Sequence, residues 1–152
     1  MLQLATAADR NAVNELARQV HALHVSWRPD IYAPMEEPFS EERFLACIAN
    51  RELYVAKVGG QIAGFVLLMV RNEDRPGHVC RRLMLLEQIC VHELCRGQGI
   101  GTKMMADVRA LAKAFGCNGI RLGVYPQNDE AVGFYQKCGF KIRSISMDCN
   151  LS

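Results

Sequence analysis

The sequence predicts an α/β fold built on a mixed sheet, and three observations carry that expectation. Val13, Leu16, Val20 and Leu23 recur at helical spacing behind a short apolar run at Leu2 to Leu4. Two apolar, β-branched runs, Glu52 to Val58 and Gln61 to Val70, flank Gly59 and Gly60, the kind of pair that a two-residue hairpin turn favours. A further strand-like run, Arg82 to Val91, leads through a glycine-rich loop into Ile100, Met104, Val108, Leu111 and Phe115, again at helical spacing.

In chain order, Leu2 to Leu4 is a short first strand, and Thr6 with Asp9 three residues on offers an N-cap to a first helix running to about His24. Val25 to Phe39 carries Trp27, Pro29, Tyr32, Pro34 and Pro38, and its prolines lack the donors a long helix requires, so it reads as a loop. Ser40, followed by Glu41 and Glu42, caps a second helix through Phe44, Leu45 and Ile48, with the acids at the positive end of the helix dipole. After the hairpin, Arg71 to Cys80 is a polar loop with Pro76 and Gly77, and Arg82 to Val91 is the fourth strand. Gly116 stops the third helix, and Gly119 to Val124 forms a fifth strand. Asn128 opens a last helix through Ala131, Phe134 and Tyr135 to Cys138, which Gly139 ends. Ile142 to Leu151 alternates as a final strand would.

Length and composition agree with one domain over residues 1–152: 50% of the residues are hydrophobic, 22% are charged, and no repeat, low-complexity tract or linker divides the chain. Eighteen Lys and Arg against sixteen Asp and Glu leave a net charge of +2, spread without long single-sign runs. Neither a nucleic-acid arm nor a membrane-binding face is expected from that pattern. The seven cysteines are odd in number, contain no C-x-x-C pair and fall mostly in apolar runs, which favours a reducing cytoplasm. The N-terminus lacks a signal pattern, and the longest apolar run, Ile62 to Val70, is far shorter than the ~20 residues of a spanning helix. A soluble, cytoplasmic, unprocessed protein is the expectation.

The glycine loop is the first feature that suggests chemistry. A helix N-terminus presents unpaired N–H groups and partial positive charge. Gly97, Gly99 and Gly101 leave alternate positions without Cβ, so the loop can turn amides toward a phosphate while Arg96 adds a formal charge. A plain turn joining strand to helix would use the same residues. A Walker loop fits badly, because Thr102 and Lys103 follow Gly101 in the wrong order. A dinucleotide fingerprint also fits badly, since these glycines are spaced by two and lie late in the chain.

Arg96 to Gly101 satisfies the pattern [QR]-x-x-G-x-[GA], and Asn128, Ala131, Phe134, Tyr135, Lys137, Gly139 and Phe140 satisfy N-x-x-A-x-x-[FL]-Y-x-K-x-G-F. In both segments, and in their order behind a fourth strand, the chain resembles the GNAT superfamily of N-acetyltransferases. The resemblance implies a mostly antiparallel central sheet with splayed fourth and fifth strands, flanked by about four helices, and acetyl-CoA as the acetyl donor. It implies that free backbone at Ile89, Cys90 and Val91 takes the pantetheine arm and the thioester oxygen. Cofactor contacts are further implied at Arg96, Gly97, Gln98, Gly99, Ile100, Gly101, Thr102, Asn128 and Tyr135. The family usually closes with a two-stranded hairpin, whereas only residues 140–152 follow Gly139 here. A closing hairpin reduced to one strand would leave an edge that a second subunit, in a homodimer, could cover.

An amine attacks a thioester only when unprotonated, and the departing thiolate needs a proton. By resemblance Tyr135 is the general acid. Glu87 lies two residues before Ile89, so strand alternation puts both on one face, and a carboxylate facing the cleft is a candidate base; His92 stands in reserve. His21 and His24, three apart, read as half a metal site that no acid or thiol cluster completes, so no metal is expected. Trp27, Tyr32, Glu36 and Glu37 lie in the loop that borders the acceptor pocket of the family, which suggests a cationic small molecule. The expected activity is transfer of an acetyl group to a primary amine on a small molecule. A protein N-acetyltransferase and a noncatalytic acyl-CoA sensor are the alternatives.

Overall fold

A computed structural model describes all 152 residues. The elements are β1 (Leu2–Leu4), α1 (Arg10–Trp27), α2 (Glu41–Ala49), β2 (Leu53–Val58), β3 (Gln61–Glu73), β4 (Arg81–Val91), α3 (Ile100–Ala114), β5 (Gly119–Leu122) and α4 (Asp129–Lys137), with short 3-10 turns at Ala7–Asp9 and Glu93–Cys95. The strands form one sheet in the order β1-β2-β3-β4-β5. Every neighbouring pair is antiparallel except β4 and β5, which are parallel.

Alternation along β2, β3 and β4 sends apolar side chains to both faces, and each face is covered. On one side Val13, Leu16, Phe39 and Phe44, from α1, α2 and the loop between them, pack on Leu53, Val55, Phe65 and Cys90. On the other, Ile100, Met104, Met105 and Val108 of α3 pack on Val66, Leu68, Met84 and Leu86. The β2–β3 hairpin turns at Gly59 (φ 59°) and Gly60 (φ 79°), two successive left-handed residues that match the twist of the strands they join. The Ser40 side chain accepts from the Arg43 amide at 3.2 Å and caps α2. At the first helix it is Asp9 that accepts, from both the Thr6 amide (2.8 Å) and the Thr6 hydroxyl (3.1 Å).

Four boundaries differ from expectation. Helix α1 continues three residues beyond His24 to Trp27 and stops just before Pro29, the first residue whose ring forbids helix in its predecessor. The β3–β4 hairpin is longer than its apolar run, because the polar Arg71, Asn72 and Glu73 still pair with Leu83, Arg82 and Arg81. Strand β5 ends at Leu122 rather than Val124, since β4 turns away from it beyond Leu86. The expected final strand over Ile142 to Leu151 does not form. Alternation makes a strand only where a ladder partner is at hand, and this segment is held by side chains instead: Arg28 reaches Asp148 at 2.8 Å, and Asn150 donates to Asp30 at 3.0 Å. Ile142, Ile145, Met147 and Leu151 consequently stand 72%, 81%, 92% and 94% exposed.

Candidate active site

Strands β4 and β5 pair only from Leu83 opposite Gly119 to Leu86 opposite Leu122. Strand β4 then runs on from Glu87 to Val91 with no partner on that side. The cause lies in its other neighbour: Leu68 of β3 pairs with Leu86 and Leu67 with Gln88, so Glu87 is an extra residue, a bulge. A bulge bends its strand and sharpens the local twist, which carries β4 away from β5 and opens a cleft between them. Backbone groups of Gln88 to Cys90 that point away from β3 have no strand partner there and line one side of it.

The bulge also revises the expected side-chain geometry. Leu86 and Ile89 both belong to the α3 layer, while Cys90 belongs to the α1–α2 layer. Glu87 therefore falls on the face opposite Ile89, toward α1 and α2, and period-2 alternation fails at this one residue. Glu87 is exposed there, and no hydrogen bond ties its carboxylate to Tyr135 or to any other side chain.

The mouth of the cleft is the glycine loop. Gly99, at φ 77°, caps α3 without a side-chain acceptor, and the amides of Ile100, Gly101 and Thr102 have no carbonyl one turn back to bond. Nothing lies within 4 Å of where a Cβ at Gly99 would stand, so its requirement for glycine in the free protein is conformational. Arg96 Nε donates to the Val91 carbonyl at 3.2 Å, and Gln98 Nε2 to the Leu94 carbonyl at 3.3 Å, which fixes the loop to the end of β4. A Cβ on Gly101 would stand 3.4 Å from the Phe134 ring and 3.7 Å from a Val91 methyl, so this glycine lets α4 approach α3 and β4 closely.

Helix α4 begins at Asn128, whose side-chain oxygen accepts from the Ala131 amide at 3.2 Å and leaves its amide nitrogen free. Tyr135, two turns further on, packs between Phe134 and Phe140 with ring centroids 5.5 and 5.9 Å away. Burial, with the neighbouring Cys138 thiol, pushes the Tyr135 phenol up to about 12, so it keeps its proton at neutral pH. Its hydroxyl makes no hydrogen bond within the chain, yet it is not sealed from solvent. Burial likewise lifts the Cys90 thiol to about 11, so it is protonated at neutral pH. His92 is occupied: its ring nitrogen accepts from the Leu94 amide at 3.1 Å.

On the α1 side, the loop from Arg28 to Phe39 is stapled to the helix through its own backbone. Asn14 bonds both the carbonyl and the amide of Phe39 at 2.9 and 2.8 Å, Arg18 donates to the Glu36 carbonyl, and His21 meets the Ala33 carbonyl. Tyr32 on this loop forms a hydrogen bond of 2.9 Å with the hydroxyl of Tyr125, just beyond β5. His24, Trp27, Tyr32 and Tyr125 make one aromatic group, with His24 stacked 5.2 Å from Tyr32 and 5.7 Å from both Trp27 and Tyr125. Desolvation, and then the neighbouring His21, lower the His24 pKa and favour the neutral ring. Sequence reasoning singled out Trp27 and Tyr32 but missed Tyr125, which joins them only because the sheet brings the end of β5 beside the end of α1. Asp30 is paired with Arg28 and Glu37 with Arg10, so of the three loop acids only Glu36 is uncommitted. No group of three His, Cys, Asp or Glu side chains gathers where it could hold a metal ion.

A parallel strand pair that opens at its C-terminal end, beside a helix N-terminus rich in free amides, defines a class of protein that can hold an elongated, phosphate-bearing ligand in the opening. Within that class the chain belongs to the acetyltransferase (GNAT) family, whose pattern it matches over residues 18–140. A solved structure of a mutant of the BH1408 protein from Bacillus halodurans superposes with a TM-score of 0.94 at 28% identity, covering 100% of this chain and 99% of that one. The uncharacterised N-acetyltransferase YvbK of Bacillus subtilis is 31% identical over 98 residues, 64% of this chain and 57% of its own length. The glucosamine 6-phosphate N-acetyltransferase of Candida albicans is 31% identical over 95 residues, 62% of this chain and 60% of its own. The chain thus spans less than two thirds of the curated relatives it matches.

Proposed function

We propose that this protein transfers the acetyl group of acetyl-CoA to the primary amine of a small, cationic molecule. The opening between β4 and β5 next to the amides of the glycine loop is the observation that carries this reading. In it, diphosphate oxygens accept from the loop amides beside Arg96, and the pantetheine arm adds to the unpaired edge of β4 at Ile89, Cys90 and Val91. The amine nitrogen attacks the thioester carbon, the C–S bond breaks as the tetrahedral intermediate collapses, and the sulfur leaves as a thiolate that takes a proton from Tyr135. A phenol near 12 is a weaker acid than a thiol near its reference value of about 8.5, so the transfer runs uphill if it occurs alone. It becomes feasible when the thiolate is poorly solvated and the proton leaving the amine replenishes the phenol. Glu87, facing the α1–α2 side, serves as the carboxylate that draws or steers the cationic amine. The aromatic group of His24, Trp27, Tyr32 and Tyr125 supplies ring faces for the cation, with Glu36 adding negative charge. The likeness to an enzyme of an amino sugar supports a small acceptor.

On the same reading the enzyme is one domain over 1–152, works in the reducing cytoplasm where its seven free cysteines persist, and forms a homodimer that covers the open edge of β5. The deciding experiment is a thiol-release assay with acetyl-CoA across small amines and peptides, corrected for the protein's own thiols. Release with small amines, above the rate without acceptor, is the expected result. Release with peptides alone would move the acceptor to proteins, and cofactor binding without release for any amine would leave a sensor.

A further inference from the structure

At the end of the sheet remote from the glycine loop, a cavity of about 190 Å³ is lined by Glu73, Arg75, His78, Arg81, Arg121 and Arg143. Its four arginines come from four separate places: the turn after β3, the first residue of β4, the middle of β5 and the segment after α4. The only acid among them is already engaged, since Arg121 takes both carboxylate oxygens of Glu73 at 2.9 and 3.1 Å. Arg75, Arg81 and Arg143 have no carboxylate partner. Arg75 and Arg143 nonetheless lie close enough, after Arg121, to help hold the Glu73 carboxyl below its ordinary range. Exposed guanidinium groups that repel one another spread apart unless the backbone holds them together. Here Glu73 holds Arg121 in place, and Gly119, where a Cβ would stand 2.5 Å from Arg81 Nη2, leaves room for the Arg81 side chain to lie across the start of β5.

We propose that this cavity is a binding site for a compact phosphate-bearing anion, held by Arg75, Arg81 and Arg143, with Arg121 fixed beside them by Glu73. The chemistry selects phosphate over carboxylate. A carboxylate offers one planar edge and satisfies one guanidinium fork, whereas a phosphate offers several oxygens in different directions and up to two charges for three unpaired cations. At about 190 Å³ the opening has room for a diphosphate or the phosphate end of a larger molecule. Ten residues of β4 separate Arg81 from Val91, roughly 30 Å of strand, so this anion is not the diphosphate that the glycine loop would hold. The site joins the chain after α4 to the β3–β4 hairpin, and its occupancy would tether that otherwise exposed segment at Arg143.

The test is calorimetric titration of inorganic pyrophosphate into the full chain, into the R81A/R143A double variant and into G99E, with malonate as a carboxylate control and thermal unfolding to verify each fold. Binding by the parent and by G99E, weakened at least tenfold in the double variant and falling with added salt, is the expected result. Absence of pyrophosphate binding by the parent would overturn the proposal. So would equal affinity in the double variant, or malonate binding as tightly as pyrophosphate. Loss of binding in G99E alone would assign the heat to the glycine loop and equally overturn it. Failure of acetyl-CoA to bind or react would overturn the proposed function and leave this titration unaffected.

Discussion

At the scale of single residues, the proposed chemistry turns on a phenol whose surroundings keep it protonated without using its hydroxyl. Tyr135 is wedged between Phe134 and Phe140, and its oxygen has no partner in the chain. Tyr135→Phe therefore removes no hydrogen bond from the free protein and keeps the ring packing, so stability should change by less than about 1 kcal/mol. General acid assistance is typically worth about 10²–10⁴-fold, and protonation of the sulfur occurs only as the thioester breaks. We expect kcat to fall at least tenfold in steady-state assays while calorimetry finds acetyl-CoA affinity nearly unaltered. Unchanged kcat would make Tyr135 a packing residue. Its motif was legible in the sequence, but the ring neighbours that raise its pKa were not, since Phe140 reaches it only after α4 has ended and the chain has turned back. Glu87 shows the opposite case. Its charge was legible, its direction was not, because a bulge depends on how two strands register and leaves no mark in either one alone.

At the scale of elements, the helix start and the strand end act as one unit. Gly99 adopts a backbone conformation that other residues pay for by about 1–2 kcal/mol, and open space surrounds it in the free protein. Gly99→Glu should accordingly leave the fold intact by circular dichroism and lower Tm by roughly 2–8 °C. The added carboxylate would meet the diphosphate with like charge and should abolish detectable acetyl-CoA binding by calorimetry. Undiminished affinity would remove the loop from the site. Strand, loop and helix were each readable from period and glycine placement, because those signals are local. Their limits were less so: α1 gained Trp27, and β3 gained Arg71 to Glu73, since pairing and packing extend an element past the point where its own apolar pattern stops.

At the scale of the whole molecule, the open side of the sheet is the unfinished part. Neither β5 nor α4 contains a fully buried residue, β5 has a neighbour on one side only, and Ile142, Ile145, Met147 and Leu151 face outward. A homodimer in which a second copy covers this side should sediment at twice the chain mass, and removal of residues 141–152 should shift it to the monomer. A parent that stays monomeric at high concentration would leave the edge free. The sequence by itself determined the fold class, the order of the elements, the glycine loop and the family, because periodicity, caps and two spaced motifs act over a few residues at a time. Tertiary structure alone decided four things: the bulge that opens β4 from β5, the meeting of Tyr125 with Tyr32 and His24, the failure of the last strand to pair, and the convergence of four arginines scattered from Arg75 to Arg143. Each joins segments far apart in the chain, and the energy that selects among such long-range pairings resides in contacts that no local pattern records.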